Sequence, residues 1–235
     1  VKVIKKLGII GGMGPLATAL FMKRIVENTK ASKDQDHIDS IVSNHATLPD
    51  RTEIIQKGTS EEFLNKIVDD IELMEFAKVE NIAIPCNTSH YFYDEIQKMT
   101  EINIINMVEE TIKFIKNDTK FKKIAILGTY GTMNCKVYDK YATLNDLDIY
   151  TLSQEEEKIS VDTIYNVKEN MVLESAKFND LLKNLSEEKV ISILACTELS
   201  CLEIPTELED YCIDAMDILV NKAIEYSGGI INKKP

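Results

Sequence analysis

Ile82-Ala83-Ile84-Pro85-Cys86-Asn87-Thr88-Ser89-His90 and Ile191-Ser192-Ile193-Leu194-Ala195-Cys196-Thr197-Glu198-Leu199 follow one plan: an apolar run, then a cysteine with threonine close behind. Apolar runs of this length read as parallel strands buried on both faces. In open α/β sheets ligands bind outside the carboxyl ends of the strands. Both thiols are therefore expected where chemistry takes place. A matched pair suggests one thiol on each side of a bound molecule. That arrangement can remove a proton from one face of a carbon and return it to the other.

Working outward, strand-like runs are expected at 6–11, 38–44, 82–86, 102–105, 123–128, 148–151, 190–196 and 211–213. Between them, helical spacing predicts helices over 16–30, 61–79, 108–116, 154–168, 174–185 and 216–226; Phe63, Ile67, Ile71 and Met74 form one such apolar stripe. Alternating strands and helices argue for βαβ units and a parallel sheet. Leu7-Gly8-Ile9-Ile10-Gly11-Gly12-Met13-Gly14 is echoed by Ile124-Ala125-Ile126-Leu127-Gly128-Thr129-Tyr130-Gly131, and each precedes its cysteine by a similar distance. The repeat of both turn and thiol predicts an α/β fold of two similar, pseudo-symmetric domains with a cleft between them. Each domain would be a mainly parallel sheet flanked by helices. The division expected is 1–105 plus 214–235 for the first domain and 106–213 for the second.

A chain of 235 residues, 44% hydrophobic and 28% charged, has the composition of a globular protein with a substantial core. Its formal net charge of −12 disfavours nucleic-acid binding, which needs clustered Lys and Arg. No apolar run approaches the roughly 18 residues of a membrane span, and residues 1–12 lack the apolar core and cleavage site of a signal peptide. Five cysteines without a CxxC pair fit a reducing, cytoplasmic setting.

Free cysteine is most often a small buried hydrophobe, and Cys135, Cys201 and Cys212 are read that way. Cys86 and Cys196 differ because each lies at an expected strand-to-helix junction, where unpaired N–H groups favour a thiolate. Gly11-Gly12-Met13-Gly14-Pro15 lacks both GxGxxG spacing and a P-loop ending. It reads as a tight turn whose N–H groups can face a small anion, or as one that needs glycine only for its dihedrals. Arg51, in Leu48-Pro49-Asp50-Arg51-Thr52, could clamp a carboxylate with two parallel hydrogen bonds; a solvated loop arginine is the competing reading. His37, His45 and His90 have no metal-ligand spacing and read as bystanders. Glu155-Glu156-Glu157 reads as a solvated helix face.

Five segments carry a resemblance: LGIIGGMGPLAT at 7–18, LPDRT at 48–52, PCNTSH at 85–90, LGTYGT at 127–132 and CTEL at 196–199. With these the chain resembles the aspartate/glutamate racemases that work without pyridoxal phosphate, and is most similar to their aspartate branch. The resemblance implies that Cys86 and Cys196 are the two acid/base residues and that no cofactor or metal is used. It implies substrate contacts by Met13, Gly14, Arg51, Asn87, Thr88, Thr129, Lys168 and Thr197. Around Lys168 the segment is one residue shorter than in aspartate racemases. Glutamate racemases typically carry an Asp near the first glycine turn and a His after the second Cys-Thr; here Gly12-Met13 and Glu198 stand there. The implied partner is a small amino acid, a dicarboxylate, and the implied assembly a homodimer, with no membrane or nucleic acid. A hydantoin racemase, a broad-specificity racemase, a maleate isomerase-like enzyme and an inactive small-anion binder share this layout.

Overall fold

The computed structural model describes residues 4–232; the ends of the expected first domain, 1–3 and 233–235, lie outside the described residues. Two four-stranded sheets organise the chain. The first contains β1 (Leu7–Gly11), β2 (Ser40–Asn44), β3 (Asn81–Ala83) and β4 (Asn103–Ile105) in the order β2-β1-β3-β4. The second contains β5 (Lys123–Gly128), β6 (Asp148–Ile149), β7 (Ile191–Ala195) and β8 (Cys212–Asp214) in the order β6-β5-β7-β8. Every strand pair is parallel, with Ile9 beside Val42 and Ala83, and Ile126 beside Ile193. The architecture is thus α/β, and the two sheets repeat one strand order.

That order fixes where a ligand can sit. In each sheet the chain leaves the first strand for one neighbour and later returns to its other side. The strand order therefore switches at β1/β3 and again at β5/β7. Such switch points open a crevice beyond the carboxyl ends of the strands. The segment after β1 carries Met13, the one after β3 Cys86, the one after β5 Thr129, and the one after β7 Cys196.

The connections are α1 (Pro15–Asn28), α2 (Arg51–Lys57), α3 (Ser60–Phe76), α4 (Tyr93–Gln97), α5 (Met107–Asp118), α6 (Tyr130–Asn134), α7 (Asp139–Leu144), α8 (Gln154–Asn170), α9 (Ala176–Glu187) and α10 (Ala215–Tyr226). Pro15 occupies the first turn of α1, where its missing N–H costs nothing. Asn106, Ser153, Ser175 and Asp214 cap α5, α8, α9 and α10 with their side chains. Helix α10 buries Met216, Ile218, Leu219, Val220 and Ile224, and packs on α1 and α5. One apolar cluster joins residues of both sheets, Leu7 and Ile9 with Ile126 and Ile193, through these three helices. Each fully buried aliphatic side chain contributes about 1.5–3 kcal/mol, and this cluster is shared by the two sheets.

Several expected boundaries move for local reasons. The strand expected at 82–86 ends at Ala83, because Pro85 has no N–H to give a ladder. The strand expected at 148–151 is two residues long, and that at 211–213 lies at Cys212–Asp214. Helix α8 runs past 168 to Asn170 and stops where Met171 turns left-handed at φ 55°. Helices α2, α4, α6 and α7, of five to seven residues, were not anticipated. They are too short for a 3.6-residue period to show.

Candidate active site

The turn after β1 is shaped by close approach. Gly12 has φ +92°, and a Cβ there would sit 2.4 Å from the carbonyl carbon of His45, so only glycine fits. Its N–H donates to Thr18 Oγ1 at 2.9 Å, and that hydroxyl donates to the Gly14 carbonyl at 3.0 Å. The turn is therefore partly closed on itself, and the Gly12 N–H is not free to meet an anion. Met13 is buried, and Gly14 lies against Glu198: a Cβ on it would stand 3.1 Å from Glu198 Oε1.

Cys86 follows β3 and precedes a five-residue 3-10 helix, Thr88–Phe92, that runs directly into α4. Cys196 likewise precedes a 3-10 turn, Leu199–Cys201. The three-residue turn after Cys196 aligns too few peptides to act as a macrodipole, so that thiol must be tuned by individual neighbours. The Cys86 carbonyl accepts from Ser89 Oγ at 3.1 Å and from His90 Nδ1 at 2.8 Å. His90 Nε2 in turn accepts the Met107 N–H at 3.2 Å, which fixes the neutral tautomer. Burial pushes the His90 pKa down to about 4. His90 is thus a brace behind Cys86, a role that sequence reading missed. His45 is instead paired with Asp70 at 2.7 Å.

Arg51 is the first residue of α2, capped by Asp50, which accepts the Glu53 N–H at 2.9 Å. One Arg51 nitrogen, Nη1, donates to the Pro49 carbonyl at 2.7 Å, while buried Nε has no partner. Asn87 accepts a hydrogen bond from the buried Tyr138 hydroxyl through Oδ1, and its Nδ2 is also buried without a partner. Unpaired buried donors are costly, and here two of them border the same space.

Thr88 crosses to the second sheet, its hydroxyl 3.0 Å from that of Thr129 and 2.9 Å from that of Thr132. On the other side, the Cys196 thiol donates to Glu198 Oε2 at 2.9 Å. Glu198 Oε1 lies 3.9 Å from Lys168 Nζ on α8. Burial first, and then the Glu198 carboxylate, push the Cys196 thiol well up, against a smaller opposing pull from Lys168. For Lys168, burial acts to lower the pKa, but Glu198, Cys196, Cys86 and Asp50 outweigh it and the ammonium is raised. Burial foremost also pushes Cys201 up to about 11 and Cys212 up to about 12.

These elements enclose one cavity of about 20 Å³, room for a single water molecule. Cys86, Cys196, Met13, Arg51, Asn87, Thr88, Thr129, Lys168 and Thr197 all line it; of the residues expected at the site, only Gly14 stands behind the lining. Asp50, Thr52 and Glu198 also line it and were not anticipated as site residues. Glu198 carried a signal, its place two residues after the second cysteine. The site can deliver or accept protons from two sulfurs, and offers a guanidinium and an ammonium to an anion. Among the described residues no cluster of three His, Cys, Asp or Glu could hold a metal ion, and no helix is long and apolar enough to cross a membrane.

Comparison with known proteins adds independent findings. The model of the Asp/Glu/Hydantoin racemase family matches residues 10–223. The broad specificity amino-acid racemase RacX of Bacillus subtilis is 28% identical over 226 residues, covering 93% of this chain and 96% of its own. Among solved structures, Picrophilus torridus aspartate racemase superposes with TM-score 0.82 at 27% identity, over 97% of this chain and 96% of that one. Francisella tularensis glutamate racemase in complex with D-glutamate shares the fold with TM-score 0.66 at 16% identity, over 96% and 81% of the two chains.

Proposed function

We propose, from the premise that this chain belongs to the Asp/Glu/hydantoin racemase family, that it interconverts L- and D-aspartate with Cys86 and Cys196 as paired acid and base. The observation that carries this reading is that both thiols line one cavity together with Arg51 and Lys168. A thiolate on one side removes the α-proton, and the thiol opposite protonates the carbanion on its other face. The two exchange roles in the reverse direction.

The α-proton of an amino acid is weakly acidic because the carbanion forms beside a carboxylate. Arg51 and Lys168 would offset that charge, and a closed, dry site strengthens both interactions. The unpartnered donors Arg51 Nε and Asn87 Nδ2 are matched by the acceptor oxygens of a carboxylate. Met13, Gly14, Thr88, Thr129 and Thr197 complete the proposed substrate contacts. An amino acid exceeds the space of one water molecule, so entry requires opening. We assign that motion to the bodies 1–105 with 214–235 and 106–213, which together assemble the thiol pair on closure.

A second reading, racemisation of a wider range of amino acids, is favoured by the Lys168–Glu198 pair. That pairing leaves Arg51 as the cation in the lining without an ion pair among the described residues. Incubating the protein with a panel of amino acids in D2O, following chirality and α-deuterium together, tests both. Aspartate alone racemising with deuterium uptake supports the first reading, and several amino acids doing so supports the second. Turnover without α-deuterium, as in a maleate isomerase-like reaction, or no exchange at all, defeats both.

A further inference from the structure

We propose that Glu198 is a positioning residue that keeps the exchangeable proton on Cys196, so that the resting protein holds Cys196 as its acid and Cys86 as its base. The acid and base roles rest on the racemase reading; the location of the proton does not. The Glu198 carboxylate is 4% exposed and accepts from the Cys196 thiol at 2.9 Å. Its backbone is fixed by the same turn, with Cys201 N–H donating to the Glu198 carbonyl at 3.0 Å and Leu199 N–H to the Cys196 carbonyl at 2.9 Å. Gly14, which has no side chain, leaves the space that Oε1 occupies.

An ionised carboxylate only accepts hydrogen bonds, so the sulfur facing it must carry the hydrogen. Carboxylates are also the weaker bases, with reference pKa values of roughly 4.3 against 8.5 for a thiol. Lys168 Nζ lies 3.9 Å from the other carboxylate oxygen, Oε1, and forms an ion pair with it. The charged and titratable groups around Cys196 are Glu198 on its own turn, Lys168 from α8, Asp50 and Arg51 from the start of α2, Cys86 opposite, and Tyr138. Glu198 is the one hydrogen-bonded to the sulfur. The corresponding position on the first turn is Thr88, whose hydroxyl is neutral and engaged with Thr129 and Thr132.

The cycle then has a defined start. The Cys86 thiolate takes the α-proton and becomes a thiol, leaving the electron pair on the α-carbon. That pair takes the proton of the Cys196 thiol from the opposite face, and Cys196 is left as a thiolate beside a carboxylate. Repulsion between the two anions drives the reset, in which a proton passes from Cys86 to Cys196 through solvent.

The test is iodoacetamide alkylation of the full chain across pH 6–10, resolved by mass spectrometry for the peptides carrying Cys86 and Cys196. In the wild-type protein Cys86 should react with a midpoint at lower pH than Cys196; their similar burial, 5% and 7% exposed, keeps access from deciding the order. In Glu198→Gln the Cys196 midpoint should fall by about 1–3 pH units while that of Cys86 stays. An unmoved Cys196 midpoint, or Cys196 titrating first in the wild type, overturns the proposal. Thiolate absorbance near 240 nm in Cys196→Ser and Cys86→Ser reads the same order without changing Glu198, should Glu198→Gln not fold. Because neither measurement uses substrate, the racemase reading can fail in the D2O panel while the proton assignment stands.

Discussion

The turns that carry Cys86 and Cys196 end equivalent strands of two sheets with the same order, yet they are built from different chemistry. Around Cys86 the partners are neutral: Ser89 and His90 on its carbonyl, Tyr138 on Asn87, Thr129 and Thr132 on Thr88. Around Cys196 they are charged: Glu198 on the thiol, and Lys168 behind Glu198. A repeated backbone thus delivers two sulfurs to one cavity, while unrelated side chains set what each sulfur does there. Topology supplies the pairing and local electrostatics the inequality.

Removing either sulfur gives the largest expected effect. Cys86→Ser and Cys196→Ser should each lower racemisation by at least about a thousandfold, within the range for loss of a positioned acid or base. The comparison makes the two variants unequal in D2O. Cys196→Ser retains the sulfur that has no carboxylate partner and should still exchange the α-proton of one enantiomer near neutral pH. Cys86→Ser should exchange the other enantiomer only at higher pH. Equal exchange profiles would erase the proposed inequality.

His90 offers a way to sharpen the neutral side of the comparison. Its pKa falls from an ordinary 6.5 to about 4 on burial, so between those values the unfolded chain binds more protons than the folded one. Stability from this group is therefore full above about pH 6.5 and is lost as pH falls toward 4, by about 3 kcal/mol in all. His90→Asn retains a donor for the Cys86 carbonyl but cannot titrate. Urea unfolding from pH 4 to 7 should show the wild type losing more stability on acidification than the variant. Parallel curves would mean that His90 is not held neutral.

Arg51→Lys probes the guanidinium that lines the cavity with both thiols. Lysine cannot place two parallel donors on a carboxylate, and the loss of a charged hydrogen bond of about 1.5–3 kcal/mol should lower kcat/KM roughly 10- to 150-fold. An unchanged kcat/KM in the D2O assay would remove Arg51 from the proposed substrate contacts.

How much of this was legible in the sequence differs between backbone and side chains. Buried parallel strands announce themselves as apolar runs, and the doubled glycine turn and cysteine gave away the repeat, so Lys123–Gly128 and Ile191–Ala195 were readable almost to the residue. Most residues gathered round the cavity were expected from the family resemblance, Lys168 on the long helix α8 among them, while Asp50, Thr52 and Glu198 were not. What escaped depends on contacts between distant segments. The apolar and helical patterns do not show that His90 spans from the Cys86 carbonyl to the Met107 N–H; for Glu198 the signal was only its place two residues after the cysteine it meets. The short 3-10 helices after each thiol escaped for a related reason, since so few residues leave no period to read.

Thr88 ties the Cys86 turn to the turn after β5, and Thr88→Val gives the smallest effect worth measuring. Valine keeps the shape but removes the hydroxyl that lies 3.0 Å from Thr129 and 2.9 Å from Thr132. Thr129 still accepts the Thr132 N–H at 3.2 Å and the Thr52 hydroxyl at 3.4 Å, so it is not left without partners. The expected loss in urea unfolding is therefore that of an ordinary hydrogen bond, about 1 kcal/mol. If Thr88 serves mainly to hold the Cys86 turn against the second sheet, the variant should lose kcat while KM changes little. If its hydroxyl instead binds substrate, KM should rise with kcat nearly constant. Either split leaves the thiol inequality intact, because Thr88 carries no charge to lend to Cys86. A changed order of alkylation between Cys86 and Cys196 in this variant would mean that the neutral turn, too, governs where the proton rests.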